Sequence, residues 1–485
     1  MRNTIRIQLH PRLRHRRRVV APSARSQTLA FIATIAGEHF DLREIMNDNT
    51  KRRTGLPILV LCFATILFDG YDLVVYGSTL PTLIAYDRWD LDASTAGVIG
   101  SAALVGMLLG TLTVGAITER LGRRRILLGS IAWFSACMLA TAAAPNEIVF
   151  GVLRFLTGIG LGGVVPTCIA LTIEFAPRSR RQIANAVMFS GYSVGGVIAA
   201  ITAIALLPET DFRVLYAIGG LPLITLLPVA YRLLPESISY LAAHGRTAEA
   251  RATAARYGVV YDDVVESTPR DSAAGVGSEH AFVQLFRARW LLSTLLFAGL
   301  NFCGLLLVYG LNTWLPQIMR SAGYALGSSL AFLLVLNAGA VLGAIGASFI
   351  ADRVGIKRVV VACFLLAAVA VFMLALHMPQ GVLFGLVALA GLGSVGTQIL
   401  NGGFCATHYP QHLAATALAW SLGIGRIGAI TGPTLGGLIA ARKLGFEVNF
   451  YVFAAVAVLG ALVAISVPRH RSPVQATRRQ PVTVE

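Results

Sequence analysis

The stretch Gly106-Met107-Leu108-Leu109-Gly110, followed by Glu119-Arg120-Leu121-Gly122-Arg123-Arg124-Arg125, occurs twice in weakened form along the chain. The second copy lies 233 positions later, as Gly339 and Gly343 and then Asp352-Arg353-Val354-Gly355-Ile356-Lys357-Arg358. One glycine pair found twice would mean little. Two glycines, an acid, an arginine, a further glycine and a basic cluster at a single offset mark an internal repeat. Glycines four apart let one helix approach another closely. The acid and the basic cluster stand where they can make charge-assisted contacts with helix ends across the interface between two bundles. Gly115, Glu119, Arg120, Gly122, Arg123, Arg124, Asp352 and Arg353 are therefore candidate gating residues.

Working outward, the surroundings of both copies are apolar. The chain has 485 residues, 55% hydrophobic and only 13% charged, with a mean hydropathy of +0.70. Soluble domains carry about 25% charged residues, so the composition reads as a membrane protein. The net charge of +16 does not imply nucleic acid, because the cations cluster between apolar runs, as in cytoplasmic loops. Twelve spans of about the length needed to cross a bilayer are predicted, at 57–80, 95–117, 126–144, 148–174, 184–206, 213–233, 290–316, 328–350, 358–376, 381–405, 414–439 and 447–467. The expected fold is an all-α polytopic membrane protein, with twelve transmembrane helices in two six-helix bundles, 57–233 and 290–467. Such halves place a substrate site between them at the midplane.

Arg120 to Arg125, then Arg178, Arg180 and Arg181, and later Arg353, Lys357 and Arg358 fall in alternate loops, which puts both termini in the cytoplasm. Residues 1–56 form a basic extension, with nine arginines before position 46, and read as disordered or as an artefact of start-site choice, Met46 being an alternative start. Residues 234–289 read as a cytoplasmic tether with an Ala/Arg-rich surface helix at Thr247–Tyr257 and a flexible stretch from Ser267 to Gly277. Residues 468–485 are a cytoplasmic tail.

Several chemistries find no support. The six cysteines all fall in predicted spans without CxxC spacing, so they read as small core residues. No HExxH and no phosphate-binding G-x-x-x-x-G-K-[ST] appears, and no nucleophile and base stand at interpretable spacing. An enzyme, a resident metal or cofactor and direct use of ATP are not expected, and the driving force should be a gradient. His408 and His412 read as solvated loop histidines without a role.

Within span one, Asp69-Gly70-Tyr71-Asp72 places two carboxylates at i and i+3, on nearly one side of a helix. A charged group facing lipid costs roughly 2.5–3.5 kcal/mol on insertion scales. The pair should therefore face other helices or a water-filled cavity. The alternative is a pair near one membrane surface, but both residues lie more than ten positions from Lys51-Arg52-Arg53.

Gly106–Arg125 resembles the signature loop of the major facilitator superfamily, and its weaker second copy fits as well. Glu119 departs from the usual aspartate. Asp69-Gly70-Tyr71-Asp72 is similar to the D-G-[FY]-D signature of the aromatic acid:proton symporters in that superfamily. Arg154-Phe155-Leu156-Thr157-Gly158-Ile159-Gly160-Leu161-Gly162-Gly163, with Pro166 and Glu174, and Gly423 to Ala429 with Gly432-Pro433 resemble the same group. Thr167 stands where relatives often carry Asn. Leu234-Pro235-Glu236-Ser237 is also found in sugar porters and does not discriminate.

The resemblance implies import of benzoate-like or hydroxylated aromatic carboxylates with protons by alternating access. It implies no cofactor, a bacterial cytoplasmic membrane and a monomer. Asp69 and Asp72 would repel each other if both were ionised, so one can take a proton. Arg426, deep in an apolar span, could clamp a carboxylate bidentately or pair with Asp69 or Asp72. Arg154 reads as nearer a membrane face, in gating or structural pairing. Tyr71, Tyr76, Asn301, Tyr309, Asn312, Gln398 and Asn401 are polar handles in apolar spans, able to bind ring hydroxyls, stack on a ring or simply join helices. Rival readings are a symporter of another organic anion or a sugar, and a transporter-like receptor. Drug:proton antiport is disfavoured, because its Gly-x-x-x-Gly-Pro-x-x-Gly-Gly pattern stands in span eleven here.

Overall fold

The computed structural model describes residues 55–177, 180–267, 282–376 and 378–468. Among the described residues, twelve helices are long and apolar enough to cross a membrane. They run Leu56–Ile84, Ala93–Val114, Arg123–Ala142, Glu147–Phe175, Ile183–Leu206 and Arg213–Leu233, then Ala288–Ser321, Leu326–Ala351, Ile356–Met373, Gln380–His408, Leu413–Ala441 and Phe446–Ser466. Each coincides with one expected span. Exposed leucines and isoleucines such as Leu112, Ile148, Leu342 and Leu459 stud the outer surface, as a lipid-facing bundle requires.

The repeat is visible in the packing. A Cβ on Gly106 or Gly110 would lie 2.0 and 2.2 Å from the carbonyl oxygens of Phe155 and Ile159, so span two presses backbone to backbone on span four. Gly339 and Gly343 do the same to Ala388 and Leu392, pressing span eight on span ten. Gly122 and Gly355, at equivalent ends, both take positive φ (85° and 100°), a conformation that costs glycine little. They turn the chain sharply into spans three and nine.

The proline break in span four is met by a neighbouring span. Span four divides at Gly163 into Glu147–Gly162 and Val164–Phe175. Pro166 has no N–H to give the Gly162 carbonyl, and the Thr111 hydroxyl, shared with the Met107 carbonyl of its own helix at 2.8 Å, reaches that carbonyl at 3.0 Å. Unmet backbone groups inside a bilayer are costly, so Thr111 accounts for a tolerated break.

The two halves meet through spans two and eleven, five and eight, and one and seven. Ser101 donates to the Ile430 carbonyl at 2.7 Å and shares a 2.6 Å hydrogen bond with Thr434. Gly77 lies against the Asn312 carbonyl and Gly196 against the Asn337 amide oxygen. These contacts gather on the side away from the basic loops.

The segment after span six is more built than a tether with one surface helix. Helices Ile238–Ala243, Thr247–Arg256 and Tyr261–Ser267 bury Ile238, Leu241, Ala250, Ala254 and Val264 against the first half. Their anchor is Glu174, which accepts from Arg123 at 2.8 Å, from the Ser237 hydroxyl at 2.8 Å and from the Ser239 N–H at 2.7 Å. The expected basic extension, most of the expected flexible stretch and nearly all of the tail lie outside the described residues.

Candidate functional site

The i, i+3 spacing of Asp69 and Asp72 brings both carboxylates inside the protein, at 1% and 3% exposure. Their surroundings differ. Asp72 accepts a hydrogen bond from Arg154 in a buried ion pair, and the guanidinium stands 5.6 Å over the Tyr76 ring. Arg154 is thus inside the first half at the acidic pair, not near a membrane face. Asp69 has no hydrogen-bond partner at either oxygen. The charges acting on it are Arg426, from the second half, and Asp72. Arg426 is partly exposed and donates to the Met107 sulfur at 2.9 Å. Of the two ion-pair partners open to Arg426 from sequence, Asp72 is already taken by Arg154.

Asp69, Asp72, Tyr76 and Arg154 line a small cavity with Leu73, Leu104 and Met107, and its volume is about 10 Å³. That is room for about one water and far too little for an aromatic ring.

The polar handles divide into two groups. Tyr76 lines the cavity with its ring, while its hydroxyl donates to the Ala96 carbonyl. Tyr309 meets Tyr192 of the first half, hydroxyl to hydroxyl, at 3.1 Å. Asn301 donates to Ser421 and accepts from Gln398 at 2.9 Å. Asn401 is fully buried, with both amide atoms unpartnered. Tyr71 and Asn312 leave the site. Tyr71 is two residues from Asp69, half a helical turn round, and its hydroxyl donates to the Leu215 carbonyl at 2.9 Å inside the first half. Asn312 spends its amide on the Val308 carbonyl and on Asn337, while its neighbour Thr313 reaches the cavity.

The gating residues sit as ties within each half. Besides Arg123 on Glu174, the Arg124 N–H donates to Glu236 and its side chain to the Tyr231 carbonyl. Gly122 leaves room for the Glu236 carboxylate, which a Cβ would meet at 2.6 Å. The Arg120 carbonyl accepts from Tyr240, and Arg353 lies over Phe349. In the second loop Lys357 donates to the carbonyls of Ile465 and Val467 at the end of span twelve. Among the described residues, none of these contacts crosses between the halves. Gly115 and the side chains of Glu119 and Asp352 lie outside the described residues.

Sequence reasoning missed Tyr192, Met107 and Thr111, whose partners are distant in the chain. It also misplaced His408, which closes span ten, is buried and shares a 2.9 Å hydrogen bond with Ser293. The His412 side chain is outside the described residues.

A model of the Major Facilitator Superfamily matches residues 62–423 and again 335–484. A gentisate transporter of Corynebacterium glutamicum is 38% identical over 415 residues, covering 85% of this chain and 87% of that protein. A benzoate transport protein of Acinetobacter baylyi is 35% identical, covering 89% of this chain and 93% of that protein. The inward open conformation of the xylose transporter XylE from E. coli superposes with a TM-score of 0.69 at 16% identity, covering 85% of this chain and 96% of that one. The chain belongs to the Major Facilitator Superfamily, whose members at 31–38% identity to it include carriers of benzoate, 4-hydroxybenzoate, gentisate and gallate. It is a multi-pass membrane protein of a transporter family.

Proposed function

We propose that the chain imports small aromatic carboxylates together with protons across a bacterial cytoplasmic membrane, both termini inside, by alternating access. The observation that carries this is the asymmetry of the acidic pair. Asp72 is charge-balanced by Arg154, whereas Asp69 is buried and unpartnered in a cavity whose Met107 accepts from an arginine of the other half. A buried carboxylate without hydrogen bonds is tolerated as the neutral acid, so Asp69 is the proton carrier.

With Asp69 protonated, Arg426 is released to hold a substrate carboxylate, and planar bidentate pairing favours that anion. When the proton leaves, Asp69 regains its charge and competes for Arg426, which expels the substrate. Because the two partners lie on opposite halves, this exchange is felt as a change in how the halves attract one another. Names of the relatives support the substrate class, and Arg426 argues against a neutral sugar.

Purified protein in vesicles should accumulate labelled benzoate or a hydroxybenzoate when an inward proton gradient is imposed, and not when it is collapsed. Binding without flux would favour a receptor. Flux of other organic anions alone would remove the aromatic assignment.

A further inference from the structure

Beyond the charged cavity lies a second polar group that the transport cycle above does not use. In the second half, Gln398 and Asn401 converge on Gly304, where a Cβ would lie 2.5 Å from the Gln398 amide oxygen and 3.6 Å from the Asn401 amide nitrogen. Asn401 is fully buried, and both of its amide atoms lack partners, as does the Gln398 oxygen. Buried amides are nearly always hydrogen-bonded, and three orphaned atoms beside one glycine are the signature of a missing partner. The adjoining Asn301 is no substitute, being committed to Ser421 and to the Gln398 nitrogen.

What separates this group from the charges is apolar. Leu73 and Leu104 line the cavity of Asp69 and Arg154. The same two leucines pack in one cluster with Leu305, next to Gly304, and Val395, one turn before Gln398. An apolar layer therefore joins the charged cavity to the unsatisfied amides. Polar groups on either side of an apolar layer match a flat apolar ring that carries a carboxylate and hydroxyl groups.

We propose that Gln398 and Asn401 form a hydroxyl-reading end of the substrate site, so that the protein selects hydroxylated aromatic carboxylates over unsubstituted benzoate. The inference rests on the transport reading above. The amide oxygens accept from a phenolic O–H and the Asn401 N–H donates to its oxygen. A ring without hydroxyls leaves these groups desolvated and unpaired, and sites built around a substrate hydroxyl discriminate strongly against the analogue lacking it. Gly304 leaves room for the Gln398 amide, which any side chain there would displace.

The test is competition among benzoate, two monohydroxybenzoates and a dihydroxybenzoate for gradient-driven uptake in proteoliposomes. The parent should favour the best hydroxylated acid over benzoate by at least about tenfold in half-saturating concentration, with one lost hydrogen-bond set costing that much. Asn401→Leu and Gln398→Leu should bring the ratio close to one, and Asn401→Ser, which keeps a hydroxyl, should retain part of it. No preference in the parent, or variants that weaken all acids in equal proportion, would overturn the proposal while leaving aromatic transport intact. If the parent moves no aromatic acid, both the proposal and the functional reading beneath it fall.

Discussion

At the scale of single residues, the pairing of Asp72 with Arg154 matters as much as the loneliness of Asp69. Removing one partner of a buried ion pair leaves the other charge uncompensated and typically costs about 3–5 kcal/mol. Arg154→Gln should therefore lower the thermal midpoint of the detergent-solubilised protein sharply. The double variant Asp72→Asn/Arg154→Gln should be more stable than Arg154→Gln alone. Equal loss in the single and double variants would mean that the ion pair contributes nothing as a pair. The acids themselves were legible from sequence, because two carboxylates three apart in a long apolar run are too costly to keep unless they face a polar site. Their partners were not. Arg154 lies 82 positions from Asp72 and the Leu215 carbonyl lies 144 from Tyr71, and nothing local indicates which helix face meets which neighbour.

At the scale of elements, the spans and the repeat could be read because their causes are local: apolar run length, glycines four apart and a turn glycine before a basic cluster. The break in span four is a different matter. Pro166 announces a missing N–H, but only the packing of span two on span four shows that Thr111 supplies the replacement. Thr111→Val keeps the shape and removes the donor, leaving the Gly162 carbonyl unsatisfied. A loss of about 1–3 kcal/mol is expected, measured as a lower unfolding midpoint, whereas Thr113→Val, whose hydroxyl caps only its own helix at Leu109 and Gly110, should change little. The segment after span six shows the opposite limit. Its polar composition reads as a tether, but Glu174 accepts there from the Ser237 hydroxyl and the Ser239 N–H and fixes it to the first half.

At the scale of the whole molecule, the halves are joined on the side away from the basic loops, and the cavity at the acidic pair has a volume of about 10 Å³. The proposed rocking of the halves would break the contact between Ser101 and Thr434, whose hydroxyl oxygens are 2.6 Å apart. Cysteines placed at both positions should cross-link on oxidation and reduce uptake at least about tenfold, with recovery on reduction. Undiminished uptake after complete cross-linking would show that this contact does not open.

Proton carriage by Asp69 is put to the test by Asp69→Asn in proteoliposomes. With an inward proton gradient, the parent should accumulate labelled aromatic acid above its external concentration. The variant, permanently neutral at that position, should lose accumulation yet still exchange internal unlabelled for external labelled substrate. Accumulation by Asp69→Asn that still follows the imposed proton gradient would contradict the account.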